Sequence, residues 1–133
     1  MGVVKSTYKE IWKLEEEIIE AETDIDKYRE AIVKAEAELG PLWKKAISSK
    51  GDVPLPIQKA MIAINDLINK ELPANIAKAR KRYDDKKALQ KIAGVTLHKY
   101  ILKKLDSARP GQYPPKKIAF YRRLAEEMRL NFV

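Results

Sequence analysis

The sequence predicts an all-α fold, with a long N-terminal heptad-bearing helix plus a bundle of about four to five shorter helices. Three observations lead there. No stretch alternates apolar and polar residues with the period of two that a half-buried strand requires. An unbroken heptad runs from Ile11 to Leu39, and the apolar residues after it recur at steps of three and four, punctuated by Gly and Pro.

In the first element Ile11, Ile18, Ile25, Ile32 and Leu39 occupy one core position, and Leu14, Ala21, Tyr28 and Ala35 occupy the other. Steps of four and three draw one apolar seam along a helix of about 50 Å at 1.5 Å per residue. Trp12, Ile19 and Val33 widen that stripe on one side, which predicts more than one packing neighbour. Ser6 or Thr7 can cap the start, Glu10 completes a capping box with Thr7, and Gly40-Pro41 is expected to stop the helix. Leu42 to Ser49 then reads as a short helix, and residues 48–56 as a loop, with Pro56 able to sit in the first turn of the next helix.

From Ile57 the set Ala60, Met61, Ile64, Leu67, Ile68 and Leu72 follows helical spacing, and Pro73 should break or kink the run. Ala74 to Ala93 keeps only a narrow apolar face of Ile76, Ala79, Tyr83 and Ile92. Gly94 reads as a helix end and Thr96 as the cap of another helix carrying Leu97, Tyr100, Ile101, Leu102 and Leu105. Arg109 to Pro115 is too rich in Pro and Gly to be helical, and a last helix spans about Lys116 to Leu130. The apolar end Phe132-Val133 is expected to tuck against the body or a neighbouring subunit.

At 133 residues and 45% apolar content the chain suits a single helical domain, 1–133. Charge divides it: residues 1–40 hold 6 Lys+Arg against 11 Asp+Glu, and residues 41–133 hold 21 against 8. An acidic long helix for packing and assembly is thus followed by a basic helical bundle. A surplus of that size on one segment calls for a partner that rewards it, and the usual partner is a polyanion. The bias toward Lys and Glu, with few amides and no Cys, resembles the composition of hyperthermophile proteins, although long helices share it.

The catalytic inventory is thin. The absence of cysteine excludes disulfides, thiol catalysis and Cys-ligated metals. His98 is a lone histidine, and Asp84-Asp85 are adjacent on a helix, about 100° apart, which is poor geometry for chelating one ion. No phosphate-cradling glycine loop or zinc-binding helix motif occurs. The expectation is that the protein is not an enzyme, needs no cofactor, metal or small-molecule substrate, and inserts in no membrane, since no apolar run approaches about 20 residues.

The basic residues carry the functional expectation. Lys78, Arg80, Lys81, Arg82, Lys86, Lys87, Lys91, Lys99, Lys103, Lys104, Arg109, Lys116, Lys117, Arg122 and Arg123 face only Asp84, Asp85 and Asp106 over the same span. Clusters on successive helices can line a strip that follows a phosphate backbone, and each neutralised phosphate releases about 0.9 counterion from duplex DNA. Tyr83, Tyr100, Tyr113 and Tyr121 lie among them, placed to touch sugars or bases or to serve as core residues. Scarcity of Asn and Gln favours contacts to phosphate over base reading. Self-association is expected through Ile11, Leu14, Ile18, Ile25, Tyr28, Ile32 and Leu39. The competing expectation is that the basic run faces the acidic first helix of the same chain.

A small, all-helical, cysteine-free, basic chain with a long heptad-bearing first helix and an apolar C-terminus resembles the major coat proteins of filamentous archaeal double-stranded DNA viruses. The resemblance is architectural and compositional and rests on no motif. It implies a nucleocapsid protein located in the virion and assembled in the host cytoplasm. Such a protein wraps double-stranded DNA and stacks into a helical filament, as a homo-oligomer or with a related second coat chain. RNA stays open as the nucleic acid. Two other classes fit the same residues: a phage- or plasmid-type accessory or regulatory DNA-binding protein acting as a dimer, and a helical scaffold protein binding an acidic protein partner.

Overall fold

The computed structural model describes residues 2–133 and is helical throughout, with no strand among the described residues. It contains α1 (Gly2–Ser48), α2 (Leu55–Asp66), a π turn (Leu67–Glu71), α3 (Leu72–Asp106) and α4 (Pro115–Phe132). Because α2, the π turn and α3 follow without interruption, there are three continuous helical runs, in place of a long helix and four to five shorter ones. Three sequence breaks account for the difference, and each has its own physical reason.

Pro41 lies inside α1, where a proline removes one backbone hydrogen bond and costs about 3 kcal/mol. The helix continues because the seam continues: Leu39, Leu42 and Ala46 keep the heptad step and are half-buried. Packing of those side chains outweighs local propensity. Pro73 is accommodated differently. The N–H of Leu72 bonds to the carbonyl of Leu67, five residues back, so the helix widens by one residue immediately before the proline. The seam shows why the extra residue is needed: Ile57, Met61, Ile64 and Ile68 step by four, three and four, but the next buried residue, Leu72, is again four away. Without the π turn Glu71 would face inward.

Gly94 does not end a helix. A β-carbon there would stand 2.8 Å from the Phe132 Cβ and would collide with its ring. The glycine is a landing place for the C-terminal aromatic residue, inside an uninterrupted α3. The apolar terminus is correspondingly half tucked: Phe132 packs against the core, and Val133 is exposed.

The chain divides into two compact units, the first formed by residues up to Ile18 with Asp84–Val133, the second by Ile19–Tyr83. These boundaries fall inside α1 and α3, not at the change of charge near residue 40. The first unit is a three-helix bundle. Val4 and Ile11 of α1, Leu97 and Ile101 of α3, and Tyr121, Leu124, Ala125 and Met128 of α4 are its buried core, flanked by Tyr8, Ala93, Tyr100, Leu105 and Phe132. Each of the large aliphatic side chains among the buried residues contributes roughly 1.5–3 kcal/mol by leaving water. Buried Gln90 is satisfied by donating to the Ile11 carbonyl (3.3 Å) and to the Glu15 carboxylate (2.6 Å). The Tyr8 hydroxyl donates to Glu127 at 3.2 Å.

The second unit is an antiparallel hairpin of α1 against α2 and the start of α3, joined by the turn at 49–54, where Gly51 adopts φ +93°. Its fully buried apolar residues are Ala21, Ile25, Ala35, Leu72 and Ala79. Pro54, Pro56, Pro114 and Pro115 bracket the starts of α2 and α4, where the missing N–H costs nothing.

Candidate nucleic-acid interface

The fold redistributes the charge that the sequence keeps apart. The first unit holds 15 Lys+Arg against 9 Asp+Glu, and the second 12 against 10. The −5 and +13 of the linear segments become +6 and +2, because acids of α1 fold beside cations of α3. Arg82 meets Asp24 at 2.5 Å in the second unit, and Lys86 meets Glu17 at 3.0 Å in the first. The expectation that the basic run faces the opening helix therefore holds for Arg82 and Lys86.

In the second unit the remaining candidates do not share a face. Lys78 lies on the flank of α3 that bears Arg82, Arg80 lies on the opposite flank, and Lys81 points outward; all three are exposed. A single cationic strip is not what these residues form.

The first unit concentrates its surplus at one corner, where α3 ends, the 107–114 connector turns and α4 begins. From Lys99 to Arg123 eight Lys+Arg stand against Asp106 alone. Lys99 and Lys103 lie one turn apart and line a shallow hollow with Leu102, Asp106 and Ser107. The connector is pinned by its own hydrogen bonds: the Arg109 N–H donates to the Gln112 side-chain oxygen (2.8 Å) and the Gln112 N–H to the Arg109 carbonyl (2.9 Å), with Gly111 at φ +78°. That fixes the backbone from which the exposed Arg109 projects.

Three tyrosines organise the lysines at this corner. Lys104 Nζ lies 5.2 Å from the centre of the Tyr100 ring, while Lys117 Nζ lies 5.2 Å from Tyr113 and 5.8 Å from Tyr121. The Tyr113 and Tyr121 rings meet edge to face. A hydrogen bond with Tyr100 raises the Lys104 pKa above the ordinary lysine value, against the opposing effect of desolvation, and Tyr121 and Tyr113 add to the rise. Lys5 of α1 joins Lys116 and Lys117 around an apolar groove of about 340 Å³ floored by Val4, Phe120 and Tyr121. Sequence reasoning missed Lys5, which precedes the basic run by more than 70 residues and carries no local signal. Arg123 borders a second groove with Tyr8, Phe120, Leu124 and Glu127.

Among the fifteen candidates, Lys91, Lys99, Lys103, Arg109, Lys116, Arg122 and Arg123 of this unit are exposed and have no carboxylate within ion-pair distance among the described residues. Lys87 and Lys91 line a separate hollow with the C-terminal Leu130, Asn131, Phe132 and Val133. His98 is half-buried in α3, and no group of metal-ligating side chains occurs among the described residues. No described helix is long and apolar enough to cross a membrane.

The residues expected to mediate self-association line the pairing seam within the chain. Ile11, Leu14, Ile18 and Ile25 are buried by the chain's own helices, and Tyr28, Ile32 and Leu39 are half-buried along the same seam. Heptad spacing specifies a helical neighbour without saying whether that neighbour belongs to the same chain. Here the chain supplies such a neighbour itself. Comparison with protein-family models, with curated proteins and with solved structures finds no match.

Proposed function

We propose that this protein is a structural nucleic-acid-packaging protein, coat- or nucleocapsid-like, that binds double-stranded DNA through phosphate contacts with little sequence preference and assembles with copies of itself into a filament of the virion. The observation supporting this most is the α3–α4 corner: eight cations and one acid within 25 residues, seated on a rigid three-helix unit and interleaved with tyrosines. Cations without carboxylate partners are available to phosphates, and tyrosine hydroxyls and ring edges suit sugar contacts. The bases have few Asn or Gln readers to meet, which favours packaging over recognition of one site.

One observation favours a second reading. Glu17 and Asp24 pair with part of the basic run internally, and the units' net charges of +6 and +2 suit the sparser charge of an acidic protein better than the dense charge of a duplex. Titration of fluorescent duplexes as a function of salt separates the two. A DNA packager with six phosphate contacts shows a log–log slope near −5 and less than about tenfold preference between random duplexes, whereas a regulator prefers one duplex by about 10³-fold or more. Reversing Lys103, Lys116 and Arg123 to Glu should flatten the slope by roughly 2.7. An unchanged slope removes the corner from the interface, and affinity no better than that of an unrelated protein of equal charge leaves the scaffold reading.

A further inference from the structure

The second unit leaves more large apolar side chains in water than it fully buries. Of its large residues Ile25 and Leu72 are buried, while Ile19, Val33, Trp43, Ile47, Leu55 and Ile62 are each more than half exposed. Scattered exposure of this kind needs no explanation; its placement here does.

Heptad letters give the placement. On α1 the seam rows are Ala21, Tyr28, Ala35 and Leu42 at d, and Ile25, Ile32, Leu39 and Ala46 at a. On α2 they are Ile57 and Ile64 at d, with Met61 and Ile68 at a. Positions e and b lie beside row a, and g and c lie beside row d. In an antiparallel pair the e flanks of both helices fall on one side and the g flanks on the other. The Asp24–Arg82 ion pair, which joins a g position of α1 to a g position of α3, verifies this register. All six exposed residues then fall on the e and b side: Ile19, Val33, Ile47, Leu55 and Ile62 at b, and Trp43 at e. The opposite side carries Glu20, Lys27, Lys34, Ala63 and Lys70 at its c positions.

We infer that this side of the hairpin is an interface for the same side of a second copy of the chain, two hairpins closing into a four-helix bundle. A two-helix unit cannot bury a second apolar flank by itself, whereas two copies that set these flanks together bury both at once. Charge favours a copy of the chain over a charged partner. Across the e and b positions of the turn-proximal half (Val33, Glu36, Gly40, Trp43, Ile47 of α1 and Leu55, Gln58, Ile62, Asn65 of α2) Glu36 is the single charged residue. A strongly basic or acidic partner finds little there to pair with. A copy of the same neutral face meets no field of like charge, as a self-complementary two-fold contact requires.

The proposal stands apart from the nucleic-acid reading, and its test contains no nucleic acid. Sedimentation of the full chain at concentrations on the order of 100 µM should show a particle of two chains, or multiples of that pair, against a single-chain mass of 15.3 kDa. The combined Trp43→Glu and Ile62→Glu variant should sediment as a single chain with unchanged helical circular dichroism. Lys34→Glu with Ala63→Glu, on the opposite flank, should leave the mass at two chains. As an independent reading, in a Trp12→Phe background the Trp43 emission should move to shorter wavelength as concentration rises. Wild-type protein that stays at the single-chain mass, or a paired Trp43/Ile62 variant that stays at two, overturns the inference.

Discussion

Each unit pairs α1 with part of the continuous run from α2 through α3, but the first adds α4 and the second has no third helix. Where α4 is present, Leu97, Ile101, Tyr121 and Met128 are almost wholly buried, and the flank of α3 is covered down to the contact of Phe132 with Gly94. Where it is absent, the large buried seam residues Ile25 and Leu72 stay 8% and 6% exposed, and the other buried positions are the small Ala21, Ala35 and Ala79. A heptad stripe thus supplies a pairing but not a core. Depth of burial comes from having a third helix to close the triangle, and stability should follow depth.

The largest expected effect follows from that contrast. Leu97→Ala removes a side chain from the closed core and should cost about 2–5 kcal/mol, toward the upper end because three helices constrain collapse of the cavity. Ile25→Ala, in the open hairpin, should fall at the lower end of the same range, since water and neighbouring side chains can fill the space. Urea denaturation of both variants gives the two values. Equal losses would mean that the hairpin is as closely packed as the bundle. Amide hydrogen exchange should agree, with residues 93–101 protected longest and residues 55–68 exchanging sooner.

Next in size is the Phe132–Gly94 contact, which ties the C-terminus to α3. Gly94→Ala gains helix propensity of about 1 kcal/mol but forces the ring away, and overpacking costs about 1–3 kcal/mol, so the variant should be neutral or destabilised on balance. In a Phe132→Gly background, which removes the ring and the β-carbon together, the same substitution should become stabilising. That reversal of sign distinguishes a landing site from a helix end, where a left-handed backbone would make alanine unfavourable in both backgrounds.

The π turn permits a sharper test of how the hairpin keeps register. Deleting Asn69, exposed in the widened turn, restores the step of three between seam residues and should change stability by less than about 1 kcal/mol. Deleting Lys81, equally exposed but in a regular stretch, turns the preceding seam residues of α3 out of register and should cost several times as much. Thermal unfolding followed by circular dichroism compares the two.

These contrasts explain what was legible in the sequence. The seam from Ile11 to Leu39, Pro56 in the first turn of α2 and, to within two residues, the span of α4 follow from spacing and local stereochemistry and stand as expected, while the loop expected at 48–56 narrows to 49–54. Gly94 was illegible because a glycine that ends a helix and a glycine that admits an aromatic ring have the same local signature, and the ring lies 38 residues further on. Pro41 and Pro73 were misleading because packing on both sides outweighed their cost. The step of four from Ile68 to Leu72 did carry the signal of the π turn. For the candidate interface, the cationic residues were legible but their grouping was not. Linear charge counts set Lys78–Arg82 equal to Lys99–Arg123, and only the antiparallel return of α1 assigns Asp24 to the former and nothing comparable to the latter.

The smallest effect concerns pH. In α4 the Arg129 guanidinium donates two hydrogen bonds to the Glu126 carboxylate, one turn away, and these hold the Glu126 carboxyl below its ordinary value, with His98 adding to the depression and desolvation opposing it. A depressed carboxyl contributes stability that is present above its unfolded value of 4.5 and is lost as pH falls through the lower, folded value. Arg129 stays charged across that window, its own pKa raised by the same bond. Both side chains are exposed, so the contribution is that of a surface helix pair and weakens in salt. Glu126→Gln should therefore leave stability nearly unchanged at pH 3 and lower it slightly at pH 7, the difference shrinking at high ionic strength. Denaturation midpoints at the two pH values measure it, and a larger loss at pH 3 than at pH 7 would contradict the sign of the shift.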